Sequence, residues 1–384
     1  MTILPCILLV VSAHIVFTGA RVTSSLYALA NGASTFTVGV LMALFALVPM
    51  LTAVRAGKWL DRVGPLRPLA AASSLILAGI VLPAAFPYPV ADLGPLLVGV
   101  ALIGTGQMLA QITVQDLVGR SAAPDERTIA FSWLALGVSV SGFTGPVSAG
   151  FIIDTLGHRA AFATFSVVTL AMFGLLAWLW RDLPGPMGAR SADEERPFFD
   201  LLRAPPVRNV LLTTTLISMA WDLQTFMVPV HGTRVGLTAS QIGLVLGSFA
   251  VATFTIRLAM PWLSRTYHEW QVLTFTLFTA ALAFVVMPLL DSLLPLAGCA
   301  FLLGLGLGAA QPNVMSLLHE HSPTGRVGEA LGLRTTIMNS SHVVLPLVFG
   351  AAGAVIGAAS VFWIMAMMLA GGGYASARRL HNER

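Results

Sequence analysis

The composition of this chain of 384 residues is that of a membrane protein, because 56% of the residues are hydrophobic and only 10% are charged. A soluble domain carries roughly 25% charged residues, which excludes water as the main solvent. The apolar stretches are long and do not alternate, so they predict spanning helices and exclude a barrel. The net charge of +4 is spread over several loops and predicts no nucleic-acid partner.

Twelve apolar stretches follow one another, each about as long as the roughly 20 residues that a helical crossing needs. They fall near residues 4–30, 36–56, 69–88, 93–119, 128–153, 160–180, 208–231, 238–262, 271–290, 295–318, 328–352 and 355–377. We expect an all-α integral membrane protein with twelve transmembrane helices. The predicted units are a six-helix bundle (1–180), a polar, Pro- and Gly-rich cytoplasmic linker (181–207) and a second six-helix bundle with a short tail (208–384).

Two segments at an offset of 200 residues indicate that the chain contains two copies of one unit. Residues 102–111 read LIGTGQMLAQ, and residues 302–311 read LLGLGLGAAQ. The same offset relates Pro146 and Gly150 to Pro346 and Gly350. Membrane carriers built from such repeats hold the substrate between the two copies, which predicts a site between the bundles.

Basic residues concentrate in the loops on one side of the predicted helices. That side contains Lys58, Arg62, Arg67, Arg120, Arg127, Arg181, Arg190, Arg196, Arg203, Arg208, Arg265, Arg326, Arg378, Arg379 and Arg384, whereas the loops on the other side contain only Arg159 and Arg234. Because basic loops stay in the cytoplasm, both termini are expected there. Helical crossings predict the inner (cytoplasmic) membrane, with lipid as the surroundings.

No motif in the sequence predicts catalysis or a bound cofactor. The sequence contains no GxxxxGK[ST] phosphate loop, no HExxH, no CxxC and no Gly-x-Ser-x-Gly. We therefore expect no enzyme activity, no cofactor and no metal site. Uphill transport would then draw on an ion gradient or on exchange.

The loop after the second predicted helix carries a motif, GKWLDRVG at residues 57–64. It resembles the GxLaDrxGrkxxl signature of the major facilitator superfamily, and with the twelve helices and the duplication the resemblance covers the whole chain. It implies a secondary transporter in which a cytoplasmic cluster holds the outward-open state. The resemblance implies this role for Asp61, Arg62, Asp116 and Arg120. Gly57 and Gly64 are expected to support the same gating by permitting a tight, closely packed turn. A charged turn that only fixes topology is the alternative, and the second copy has Ser264 in place of Asp61.

The fifth predicted helix contains GFTGPVSAG at residues 142–150. This segment resembles the GP motif of proton-coupled antiporters in the superfamily, which implies export. Gly145 and Pro146 are expected to form a bending gate, since proline removes a backbone donor. The motif is partial at Ala149, and Val100 stands where such exporters often carry an arginine, so another charge must couple protons.

Two charges, Arg21 and Asp222, lie deep in predicted helices one and seven. A charge at mid-membrane costs about 2.5 to 3.5 kcal/mol, so each should face water or a partner. They either pair across the two bundles or act separately, Arg21 binding an anionic group and Asp222 carrying a proton. His342 is a second candidate for proton coupling. A static structural pair is the alternative.

Amide side chains in the predicted helices are further candidates for substrate contact. The full predicted substrate-binding set is Arg21, Gln107, Gln111, Gln224, Gln311 and Asn339. Amides in membrane helices also bond helix to helix, which is the alternative. The leading hypothesis is a secondary transporter that works by alternating access and exports a small organic solute in exchange for protons. Uptake or exchange of an organic anion bound by Arg21 is the second hypothesis, and a membrane enzyme or sensor is a remote third. We expect a monomer.

Overall fold

Twelve α-helices account for nearly all of the residues that a computed structural model describes, which are 3–85, 93–121, 127–181, 183, 204–263, 265–321 and 327–382. They are α1 (Ile3–Ala30), α2 (Thr35–Val63), α3 (Leu66–Ala85), α4 (Gly94–Ser121), α5 (Arg127–Leu156), α6 (His158–Leu179), α7 (Pro205–Arg234), α8 (Ala239–Leu263), α9 (Glu269–Val286), α10 (Leu293–His321), α11 (Val327–Ile356) and α12 (Ala358–Asn382). A short 3-10 turn follows α9 at Met287–Leu289. No strand occurs in these ranges, which confirms the all-α prediction.

Eleven of the described helices are long and apolar enough to cross a membrane, and α7 is the exception. This helix has 30 residues, which is ample length, but it carries the polar side chains of Asp222, Gln224 and His231. All three side chains are buried against neighbouring helices, so their polarity does not meet lipid. The polar composition of α7 therefore reflects an interior position in the twelve-helix bundle.

Helix α2 extends beyond the apolar stretch that was used to predict it. The stretch ends at residue 56, whereas α2 continues to Val63, because helical hydrogen bonding does not require apolar side chains. The helix stops at Gly64, which has φ 77° and donates its N–H to the Leu60 carbonyl oxygen at 2.9 Å. Gly57 was expected in a tight, closely packed turn. It lies inside α2 instead, with no described atom within 4 Å of the position of a Cβ.

The repeated glycine segments form the same backbone contact in the first half (α1–α6) and the second half (α7–α12). A Cβ at Gly104 on α4 would collide with the carbonyl oxygen of Phe45 on α2. A Cβ at Gly304 on α10 would collide with the carbonyl oxygen of Phe249 on α8. Small residues let membrane helices approach this closely. The LxGxG repeat is therefore a packing motif that joins the second and fourth helix of each half.

The two halves meet at the end of the bundle where α2 and α8 begin and α5 and α11 end, which we call the distal end. A Cβ at Gly243 on α8 would lie 2.5 Å from the carbonyl oxygen of Pro146 on α5. A Cβ at Gly39 on α2 would collide with the carbonyl oxygen of Pro346 on α11. We call these four residues the distal seam. It consists of two equivalent glycine–proline crossings, one on each side of the bundle.

A carboxylate reinforces the α5–α8 side of the distal seam. Asp154, near the end of α5, accepts hydrogen bonds from the backbone N–H groups of Ala239 at 3.0 Å and Ser240 at 2.7 Å. The first N–H groups of a helix have no partner within the helix, and a carboxylate there also interacts favourably with the helix dipole. Asp154 therefore caps α8 from the other half. The sequence reading missed it because the predicted helix ended at residue 153.

Candidate functional site

A cavity of about 180 Å³ lies between the two halves. It is lined by α1 and α5 from the first half and by α7 and α8 from the second half. Its polar lining side chains are His14, Thr18, Arg21, Ser139, Gln224, Thr225, Thr253 and Arg257. The duplication predicts a substrate site in this position.

Arg21 and Gln224 are the two members of the predicted substrate-binding set that line this cavity. The guanidinium carbon of Arg21 lies 5.6 Å from the centroid of the Phe17 ring, and its Nε has no hydrogen-bond partner among the described residues. Gln224 is 0% exposed, and neither polar atom of its amide has a partner in the described part of the chain. Buried polar groups in proteins are rarely left unpaired, so the unsatisfied atoms of these two side chains set them apart from the rest of the cavity lining.

Asp222 is paired with His342, not with Arg21. The two carboxylate oxygens of Asp222, on α7, lie 2.7 Å and 2.8 Å from Nδ1 of His342, on α11. The Asp222 side chain is only 4% exposed, whereas that of His342 is 35% exposed. Arg21 is close enough to interact electrostatically with Asp222, but the two form no ion pair in the described structure. The structure therefore brings together the two residues that were predicted for proton coupling.

Arg257 on α8 is a cavity residue that the sequence reading missed. Its Nη1 donates to Oγ of Ser139 on α5 at 2.9 Å, and its Nη2 donates to Oε1 of Gln311 on α10 at 3.5 Å. The contact with Ser139 crosses between the halves. The available signal was a charged residue well inside the apolar stretch 238–262, the same signal that identified Arg21 and Asp222.

The other predicted amides are not among the residues that line the cavity. Gln107 is buried, and its amide has no partner among the described residues. Gln111 is exposed, and Asn339 is half-buried. Gln311 is also exposed and reaches the cavity through Arg257. An exposed amide is unfavourable against lipid, so the related positions Gln111 and Gln311 indicate a wet opening towards the end of the bundle opposite the distal seam.

Comparison with known proteins identifies the family. The sequence profile described as "Major Facilitator Superfamily" matches residues 6–346, which is most of the chain. The chain belongs to the Major Facilitator Superfamily. The chain is therefore a multi-pass membrane protein of a transporter superfamily, as the sequence predicted.

Relatives of this superfamily member are similar at low identity. The chain is 24% identical over 245 residues to "Multidrug resistance protein MdtG" of Dickeya zeae (strain Ech586), covering 62% of this chain and 60% of the relative. It is 24% identical over 242 residues to the protein of the same name from Klebsiella pneumoniae (strain 342), covering 62% and 59%. The similarity thus spans less than two thirds of the length of these relatives.

Solved transporter structures share the major facilitator fold of the chain. A peptide transporter POT in complex with sulfate superposes with a TM-score of 0.82 at 14% identity, covering 99% of this chain and 94% of that one. A POT family transporter in complex with 5-aminolevulinic acid gives a TM-score of 0.78 at 12% identity, covering 97% and 94%. At these identities the likeness confirms the architecture.

The gating residues predicted for this major facilitator protein lie at both ends of the bundle. At the end opposite the distal seam, Arg62 is exposed in the last turn of α2 and Gly64 ends that helix. Asp116 lies near the end of α4. The side chains of Asp61 and Arg120 lie outside the described residues, so the charged cluster at this end stays a prediction.

Gly145 and Pro146 lie where α5 contacts both halves. A Cβ at Gly145 would lie 2.6 Å from the carbonyl oxygen of Ile15 on α1, and the Pro146 carbonyl oxygen faces Gly243 on α8. Helix α5 is therefore held between α1 and α8 at the level of the proline. A proline inside a helix removes one hydrogen bond and is a usual cause of bending. A change of bend at Pro146 would move the α5–α8 side of the distal seam.

Proposed function

We propose that this protein is a proton-coupled exporter of a small organic solute in the inner (cytoplasmic) membrane. The observation that carries the proposal is the buried Asp222–His342 pair beside a cavity between the two halves. Export rather than uptake is supported by the GP segment around Pro146 and by the similarity to proteins named for multidrug resistance.

The Asp222–His342 pair is suited to exchanging a proton with water. His342 is the more exposed member, so a proton can arrive at or leave the imidazole while Asp222 stays buried. The charged group that faces the pair from the first half is Arg21 on α1, with which Asp222 interacts electrostatically. A substrate that contacts Arg21 therefore changes the electrostatic environment of the pair. Proton loading and substrate binding are in this way coupled through neighbouring charges.

Alternating access follows from movement of residues 1–180 against residues 208–384 about the cavity, with 181–207 as the connection. The positive-inside rule assigns both termini to the cytoplasm and the distal end to the opposite side. The closed distal seam then leaves the cavity open towards the cytoplasm. Loading from the cytoplasm and parting of the distal seam would complete an export cycle. We expect a monomer to perform it, because the cavity is formed within one chain.

Uptake or exchange of an organic anion is the second candidate function. It is favoured by the presence of two arginines, Arg21 and Arg257, in the lining of one cavity. The two candidates share the site and the alternating-access cycle. They differ in the direction of net transport. The exporter uses the proton gradient to concentrate the solute outside, whereas uptake or exchange does not.

The test uses purified protein in liposomes with an imposed pH gradient, loaded in separate arms with the cationic dye ethidium and with radiolabelled benzoate. We expect uphill flux in at least one arm that collapses when the gradient is removed. Asp222→Asn should lose the response to the gradient but keep solute exchange without it, since the neutral amide cannot release a proton. Asp291→Asn, at an exposed aspartate near the distal end, is the matched control. A gradient response in Asp222→Asn equal to that of the unaltered protein would remove the pair from the mechanism.

A further inference from the structure

The cavity between the halves carries an unbalanced positive charge. Its described lining includes the guanidinium groups of Arg21 and Arg257 but no carboxylate. Asp222, the nearby acid, does not line the cavity and has both oxygens within hydrogen-bonding distance of His342. Arg257 is held by two neutral partners, Ser139 and Gln311. Charges at membrane depth are expensive unless they are paired, so a negative partner is expected in the cavity itself.

Two side chains that line the same space carry unpaired hydrogen-bonding groups. Arg21 keeps a buried Nε without a partner, and the fully buried amide of Gln224 has no partner for its oxygen or its nitrogen within the described residues. Arginine has five N–H donors. Arg257 uses one donor on Nη1 for Ser139 and one on Nη2 for Gln311. Planar, forked donors of this kind match the two oxygens of a carboxylate. The cavity thus offers donors from both halves to one planar anion.

Aromatic side chains form another part of the cavity wall, and the space is small. Phe17, Trp221 and Phe249 line the cavity, and the rings of Trp221 and Phe249 meet edge to face with centroids 4.8 Å apart. The volume of about 180 Å³ is close to that of an apolar protein cavity that binds benzene, roughly 150 Å³. An aromatic ring with one short substituent is the size that this space holds.

We propose that the cargo is a small aryl carboxylate, with its carboxylate between Arg21 and Arg257 and its ring against Trp221 and Phe249. This assignment rests on the proposed transport through this cavity and specifies its substrate class. The chemistry is consistent with export: a weak organic acid enters a cell in its neutral form, loses its proton at neutral pH and is retained as the anion. A membrane potential that is negative inside favours outward movement of that anion.

The experiment measures equilibrium binding of radiolabelled benzoate to the purified protein, with unlabelled benzoate, benzamide and benzylamine as competitors. These three share the ring and differ in the charge of the substituent. We expect benzoate to compete most strongly, the neutral amide at least about tenfold more weakly and the amine not at all, because charge-assisted hydrogen bonds are the stronger ones. Equal competition by benzamide, or stronger competition by benzylamine, would overturn the proposal without any variant.

Arginine variants locate the binding site. Arg257→Gln and Arg21→Gln should each weaken benzoate binding by about tenfold or more, and Arg257→Lys should lose less, since it keeps the charge but not the fork. Arg55→Gln is the matched control, because Arg55 is an exposed arginine of α2 that does not line the cavity. Unchanged benzoate binding in a folded Arg257→Gln protein would refute the assignment.

The outcomes separate this inference from the proposed function. If benzoate does not bind but ethidium flux follows the pH gradient and fails in Asp222→Asn, the cargo class is wrong and proton-coupled export stands. If benzoate binds in an arginine-dependent way but its flux ignores the pH gradient, the cargo class stands and the proposed coupling fails.

Discussion

Replacing Gly243 by alanine should push the two halves apart at the distal end. The added Cβ would lie 2.5 Å from the Pro146 carbonyl oxygen, whereas carbon and its neighbours prefer about 3.5 Å, so the α5–α8 side must open by about 1 Å. Overpacking of this kind costs about 1–3 kcal/mol. If the cost applies only to the closed seam, the equilibrium between the closed and the parted seam shifts by about fivefold to 150-fold. Alanine has a higher helix propensity than glycine, so α8 itself should stay intact.

The shift can be measured as a distance between spin labels on opposite halves. Leu156 at the end of α5 and Leu294 at the start of α10 are exposed, at 71% and 81%, and suit cysteine labelling in a background without Cys6 and Cys299. We expect Gly243→Ala to lengthen the main distance or to populate a longer one. Gly174→Ala on α6, where a Cβ meets no described atom within 4 Å, should leave the distribution unchanged. If the distance distribution between the labels is the same in Gly243→Ala as in the unaltered protein, this crossing does not hold the halves together.

Two more substitutions test a contact at the distal end and a contact within the first half. Asp154→Ala removes two hydrogen bonds to the start of α8 and should favour the parted seam by about fivefold, since losing a helix cap typically costs about 1 kcal/mol. The same spin-label pair reports it, and a closed seam in that variant would assign Asp154 no part in gating. Gly104→Ala should lower the melting temperature measured in detergent, because its Cβ collides with the Phe45 carbonyl oxygen. Gly306→Ala is the comparison, because its Cβ would have its nearest neighbour at an ordinary 3.5 Å. Equal melting temperatures for the two variants would contradict the packing role of Gly104.

The architecture could be read from the sequence because it depends on signals that repeat. Apolar stretches set the number of helices, and the glycine repeat marked the contacts of Gly104 and Gly304. Helix ends were less predictable, since α2 continues to Val63 through a segment that contains the charged residues Lys58, Asp61 and Arg62. Gly57 was misplaced for that reason.

The site was only partly predictable, since partners between distant helices leave no local pattern. Asp222 and His342 were both identified as unusual, but their pairing depends on how α7 packs against α11. Arg257 was detectable as a charge inside an apolar stretch. Asp154 was not, because an acid at the end of a helix is common and its role requires knowing that α8 begins beside it. The sequence also did not show how exposed each amide would be. Gln107 and Gln111 share a face of α4, but the first is buried and the second is exposed.

The two crossings of the distal seam are held together by different sets of contacts. Both crossings join a carbonyl oxygen to a glycine, so neither requires a side chain to find a rotamer each time the halves rejoin. Among the described residues, only those on the α5–α8 side place a carboxylate across the distal seam, because Ala354 occupies the repeat position of Asp154 on α11. Separation should therefore start between α2 and α11 and reach α5 and α8 last. The two halves would then rotate about the α5–α8 contact instead of separating evenly. A solute leaving the cavity would pass first along the α2–α11 side.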